Sequence, residues 1–287
     1  MKIVDHLCEP GSSKKPNEDA WGDAGDFIWV LDGATSLIPE PLMGENGDSD
    51  ARWIAQVVNE YFKAYEYSDF QWQELFNQTS YHVQKLFKDK IGRLPTSGFE
   101  EPFAAVRALY KINETRITSC GLSDCVILVE TPEGIGGCYG DTVHHEIDQK
   151  NLELMMPFLK QGIGFEKARE KLIAGGSGGL VTGRNKANNP DGGYWVFGVR
   201  PLFLDHLDIA EFDVVPQGHI LLMSDGFYRL VETFGKYNDQ TLLDAVKKRG
   251  IQSLYDELRA LEDHDAMGVE YPRFKKGDDV TAVLVQL

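Results

Sequence analysis

The stretch KPNEDAWGDAGDFIWVLDGAT, residues 15–35, holds five carboxylates and one apolar run. The run, Phe27 to Leu31, is short and rich in aromatic and β-branched residues, and it stops at Asp32-Gly33. This is the signature of a strand that delivers an acid to its own end. Taken alone, Asp-Gly after a strand is ordinary turn chemistry. The stretch decides the fold because its pattern recurs. HILLMSDG ends an apolar run in Asp225-Gly226, GIGGCYGD ends one in Gly140-Asp141, and KKGDDVTAVLVQL sets Asp278 and Asp279 just before one. In an antiparallel sheet the end of one strand lies beside the start of its neighbour. Asp32, Asp225 and the Asp278/Asp279 pair can therefore converge on one edge. Glu18 and Asp19, at the far end of the loop that enters the first strand, can join them.

Further strand-like runs are Cys125–Glu130, Ile135–Tyr139, Tyr194–Val199, Leu207–Val214, His219–Met223 and Thr281–Leu287. Several are one tight turn apart, as in VILVETPEGIGGCYGD, and turn-linked strands pair antiparallel. Residues 51–65 and 71–90 carry apolar residues at the 3-4 spacing of a buried helical stripe. PFAAVRALYKIN, residues 102–113, reads as a third helix. QTLLDAVKKRG, with basic residues before Gly250, reads as a fourth, and IQSLYDELRALED as a fifth. Two early helices between groups of strands indicate an α+β chain, not a regular βαβ winding. No internal repeat or low-complexity segment is present, so residues 1–287 read as one domain, with an irregular insertion over 160–195.

The formal net charge is −16, from 29 Lys and Arg against 45 Asp and Glu. Such a field repels nucleic-acid phosphates and anionic membranes, so no nucleic-acid or membrane partner is expected. No apolar run reaches the ~20 residues that span a bilayer, and residues 1–15 hold no apolar core of a secretory signal. The four cysteines, at 8, 120, 125 and 138, form no CxxC pair and have no partners at zinc-ligand spacing. A reduced, cytoplasmic setting is the expectation.

Converging carboxylates raise one another's pKa unless cations neutralise them. A cluster of oxygen donors without His or Cys suits hard ions, Mg²⁺ or Mn²⁺. Two such ions orient a water, lower its pKa and offset charge on phosphoryl oxygens during in-line displacement. An acidic protein can accept an anionic substrate in that way.

NEDAWG, VLDGAT, GCYGDT, LLMSDGFYRL and GDDVTAVLV stand in this order along the chain. In order and interval they resemble the motifs of the metal-dependent protein serine/threonine phosphatases of the PP2C (PPM) family, in its bacterial single-domain form, over residues 10 to 287. The resemblance implies a four-layer αββα sandwich, two antiparallel sheets flanked by helix pairs, with a binuclear Mn²⁺/Mg²⁺ site at one edge. It implies that Asp32 bridges the two ions and that the Gly33 carbonyl and, through water, Glu18 serve the second. Asp225 and Asp278 would hold the first, and Asp19 would bind metal waters. Asp141 would serve a third ion together with Asp225.

Where the family usually has an arginine that grips the substrate phosphate, four residues before the motif Glu, this chain has Lys14. Lysine keeps the charge but loses the bidentate fork. Asp32, Asp225 and Lys14 are thus the candidate catalytic residues. Where many eukaryotic members have a histidine after the Asp-Gly, a proposed general acid, this chain has Ala34. His144 and His145 read as a surface strand pair, and GGSGG, residues 175–179, as a hinge. Arg184 and Lys186 can add positive charge near the mouth of the site. The expectation is a monomeric phosphatase that hydrolyses phosphoserine or phosphothreonine on a phosphorylated protein, or a small phosphoester, by a water bridging two ions. The alternative is a catalytically silent, PP2C-like binding or regulatory module.

Overall fold

A computed structural model of the protein describes residues 1–66, 70–140, 142–174 and 179–287. One sheet has the order β1 (Lys2–Glu9), β11 (Val280–Gln286), β10 (His219–Met223), β6 (Val126–Thr131), β7 (Gly134–Cys138). The other has the order β2 (Asp19–Ala24), β3 (Phe27–Gly33), β4 (Phe103–Asn113), β5 (Arg116–Leu122), β9 (Asp208–Asp213), with the short β8 (Phe197–Gly198) also on β4. Every pairing among these strands is antiparallel.

Period-two alternation sorts each central strand between two apolar layers. Phe27, Trp29 and Leu31 of β3 face outward onto helices α1 (Asp50–Ala64) and α2 (Trp72–Ile91), where they meet Ile54, Phe62 and Phe76. Ile28 and Val30 face the opposite sheet and meet Ile127, Leu222 and Val283. On the far side Leu221, Met223 and Leu284 pack under α6 (Asp225–Glu232), α7 (Asp239–Arg249) and α8 (Ile251–His264). The result is the expected four-layer sandwich, with two helices on one face and three on the other. Trp29 Nε1 donates to Asn59 Oδ1 at 2.9 Å in the interior and fixes α1 on β3.

Residues 102–113 form β4, not a helix. Ala104, Val106 and Ala108 face the α1/α2 layer, while Ala105 and Leu109 face the other sheet. Burial on both faces erases the polar half of the strand period and leaves an apolar run that also fits helical spacing. The same strand buries Arg107, which sits opposite Gly121 of β5 and pairs with Asp208 at 2.8 Å. A Cβ at Gly121 would lie 2.2 Å from the guanidinium carbon, so glycine makes the room for this buried cation.

β1, β2 and β5 are strands that composition alone did not reveal. β1 and β2 are interrupted by polar residues, with Asp5, His6, Asp19 and Asp23 among them. The segment read as an irregular insertion, 160–195, begins at the last residue of α3 (Thr142–Lys160) and holds α4 (Phe165–Ala174) and α5 (Leu180–Arg184), while residues 185–195 lie outside any helix. Met155, Leu159, Ala168 and Leu172 give α3 and α4 a small core of their own. His144 and His145 therefore stand on a helix and not on a strand. Of the hinge reading at 175–179, all but Gly179 lies outside the described residues.

Candidate active site

The acids gather at one edge of the sandwich, where β3 ends, α6 begins and β11 begins. Asp19 lies directly opposite Asp32 in the β2–β3 register. Glu18 precedes it, and its carboxylate accepts the Thr35 hydroxyl. Gly33 N–H donates to the Glu18 carbonyl at 3.1 Å. A Cβ on Gly33 would stand 2.6 Å from that oxygen and 2.7 Å from the Ala51 carbonyl, so the strand end closes against α1 only with glycine. Asp225 is the first residue of α6, where the positive end of the helix dipole favours an anion.

A cavity of 190 Å³ brings Asp32, Asp225 and Asp278 together. It adds Asp124 and Asp148, which sequence reasoning missed. Asp124 lies between β5 and β6, immediately before a strand. It therefore carried the same acid-at-strand-end signal as Asp278. His144 also lines the cavity. Its Nδ1 is 3.2 Å from Asp124 Oδ2, and its ring stacks on Tyr194 at 4.4 Å.

Burial, reinforced by the charges of Asp19, Asp225, Asp124 and Asp278, holds the Asp32 carboxyl well above the usual aspartate range. Burial and the neighbouring Asp278 push Asp225 up to about 7. Asp19 is raised by burial and by Asp279; the Ser224 and Thr281 hydroxyls nearby pull the other way, but neither meets its two buried carboxylate oxygens in hydrogen-bond geometry. Asp278 goes the other way. Its burial is outweighed by Lys275, at 2.6 Å, and by Arg229, which also donates to it. Burial pulls His144 down, but Asp124 overrides it and lifts the imidazole to about 9.

The oxygen set of Asp19, Asp32, the Gly33 carbonyl and Asp225 fits hard divalent cations, because these acids repel one another and both oxygens of the buried Asp19 lack a hydrogen bond. Asp278 is already neutralised by two cations. Among the described residues, no three His, Cys, Asp or Glu side chains are yet drawn round one point. Asp279 serves as a clasp, since its two oxygens accept the Gly11 and Glu18 amides, each at 2.7 Å. Asp141 lies outside the described residues.

Positive charge enters from the insertion. Arg184 of α5 donates to the Thr35 carbonyl at 3.0 Å, and Arg169 of α4 donates to the Thr35 and Ser36 carbonyls at 3.4 Å. Both line the cavity, and among the described residues neither pairs with a carboxylate. Ala34 lines it too. Lys14 is exposed on the 11–18 loop, its amide bonded to Ser12 Oγ, and lines neither this cavity nor its neighbour. Lys186 lines neither as well.

No family model and no curated protein sequence matches the chain. Solved structures do. The Staphylococcus aureus serine/threonine phosphatase Stp1 aligns at TM-score 0.56 and 14% identity, over 100% of this chain and 96% of that one. The PPM Ser-Thr phosphatase MsPP of Mycobacterium smegmatis, solved with cacodylate, aligns at 0.53 and 15%, over 100% of both chains. The catalytic domain of the phosphatase PstP, solved with two manganese ions, aligns at 0.53 and 12%, over 97% of this chain and 95% of that one.

Proposed function

We propose that this chain, which has the fold of the PPM serine/threonine phosphatases, is a metal-dependent phosphatase acting on phosphoserine or phosphothreonine in proteins. One observation carries the reading: mutually repelling carboxylates at Asp32 and Asp225 line one cavity with two carboxylate-free arginines, and the buried Asp19 lies opposite Asp32. Acids that repel one another and have no counter-ion favour a bound cation, and unpaired guanidiniums favour a phosphoryl group. Asp32 would bridge two Mn²⁺ or Mg²⁺ ions. Asp225 and Asp278 would complete one, and the Gly33 carbonyl and Glu18 the other, with Asp19 holding water at its side. Asp141 would serve a third ion. When bound, the ions supply an acidified water as nucleophile and offset phosphoryl charge.

The chain's own groups orient the ester. Arg184 and Arg169 are placed to grip phosphoryl oxygens from the insertion, a role for which Lys14 is the sequence candidate. Gly33 and Thr35 fix Asp32 and Glu18. With Ala34 after the Asp-Gly, no histidine stands there to protonate the leaving oxygen, so solvent protonates it, and a good leaving group such as a phenolate departs without a proton.

The test is hydrolysis of an aryl phosphate with Mn²⁺. Turnover is expected with the metal, none with EDTA, and a loss of at least ~10³-fold in Asp32→Ala and Asp225→Ala. Full activity in a folded Asp225→Ala protein would overturn the site. A second reading, a silent binding module, draws on the two cations that already satisfy Asp278. Calorimetry that finds tight Mn²⁺ binding without turnover would favour it.

A further inference from the structure

A second cavity, of 790 Å³, opens beside the first and shares Thr35, Arg169, Phe274, Lys275 and Asp278 with it. The inner one, at 190 Å³, is smaller than the ~300–1,000 Å³ of a typical ligand site. The outer one is contiguous with it and has room for the polypeptide that carries the group. Pro16, Phe165 and Phe274 give the outer cavity an apolar surface, and Lys15, Lys167 and Lys276 give it charge.

The pairing of these cations is uneven. Lys276 is bound to Asp263 at 2.6 Å, and Lys275 to Asp278. Among the described residues Lys15, Lys167 and Arg169 form no ion pair with a carboxylate. Four carboxylates face them: Asp278 is paired with Lys275, Glu18 and Asp279 accept neutral donors and keep their charge, and Glu166 is exposed. Against the five cations Lys15, Lys167, Arg169, Lys275 and Lys276, they leave the lining one positive charge in excess. On a chain of net charge −16, with acids outnumbering bases 45 to 29, unpaired cations gathered in one groove are a local reversal of sign. Lys15 and Lys167, exposed in the groove and without an ion pair among the described residues, attract anionic ligands.

We propose that the outer cavity binds the polypeptide flanking the phosphorylated residue and selects acidic flanks. The inference rests on the phosphatase reading. Exposed ion pairs are individually weak, so the selection acts on capture of the peptide and not on the chemical step.

The experiment uses the full chain, an aryl phosphate, and two phosphopeptides that differ only in flanking Asp/Glu or Lys/Arg. Anisotropy with the same labelled peptides gives affinity separately from turnover. The acidic peptide is expected to show about tenfold higher kcat/KM and tighter binding at low salt, with a ratio that shrinks as salt is added. The double variant Lys15→Glu/Lys167→Glu should erase or invert the ratio, and Lys248→Glu, exposed on α7 outside both cavities, should keep it. Equal preference, preference for the basic peptide, or a ratio that survives the double variant overturns the proposal. Absence of aryl phosphate turnover would reject the phosphatase reading alone, and the peptide affinities would still decide this one.

Discussion

Asp278 is the one carboxylate of the cavity held by two cations, Lys275 and Arg229, and Arg229 is in turn anchored by Glu262. A divalent ion that takes Asp278 as a ligand competes with the Lys275 ammonium for the same oxygen and is repelled by it. Lys275→Met is therefore expected to bind Mn²⁺ roughly tenfold more tightly, the factor that corresponds to ~1.4 kcal/mol. Calorimetric titration of both proteins measures it, and unchanged or weaker binding would show that Lys275 is no competitor. At this scale the acids at strand ends were legible in the sequence, because Asp beside Gly at the end of an apolar run is a local pattern. Asp124 was overlooked although it follows the rule. His144 was misplaced, since nothing local distinguishes a helical histidine that faces an acid from one that faces water. The cations on Asp278 were illegible because they come from three and 49 residues away, by contacts that only the closed fold creates.

The insertion reaches the site through its helices. α4 and α5 each contribute one arginine, and the two guanidiniums meet on the carbonyls of residues 34–36, directly after β3. Each charge-assisted contact to a phosphoryl oxygen is worth ~1.5–3 kcal/mol. Arg169→Ala and Arg184→Ala are then expected to raise KM for an aryl phosphate by about tenfold or more. Arg184→Lys should recover only part, since lysine lacks the fork. Lys14→Ala, on an exposed loop, should change KM less than about twofold by the same reasoning. Steady-state kinetics decide it, and a larger effect at Lys14 would return the phosphate-gripping role to the position that sequence order suggested. Element identity was legible where one face met water, as in α1, α2, α7 and α8. It failed at β4, buried on both sides, and at β1 and β2, interrupted by polar residues. There pairing with a neighbour, not composition, makes the strand.

Across the whole molecule the repelling acids set a pH dependence. Stripped of metal, the folded chain keeps on Asp225 a proton that the unfolded chain would release, because its pKa is raised to about 7. That contribution is complete below the ordinary aspartate value and is lost as pH rises through the folded one. His144, raised to about 9, contributes with the same sign but is lost only at higher pH. Asp278, depressed, has the opposite sign and stays constant across the neutral range. The EDTA-treated protein is thus expected to melt at a lower temperature at pH 8 than at pH 5, and Mn²⁺ should reverse the trend. A flat or rising profile in scanning calorimetry would contradict it. The Asp279 clasp has a consequence for synthesis. Its bond to the Gly11 amide spans 268 residues. A ribosome adding ~5–20 residues per second needs tens of seconds to bridge that span. Through that interval the Gly11 and Glu18 amides lack their Asp279 anchor, so a nascent chain holds no finished acidic edge until β11 has emerged.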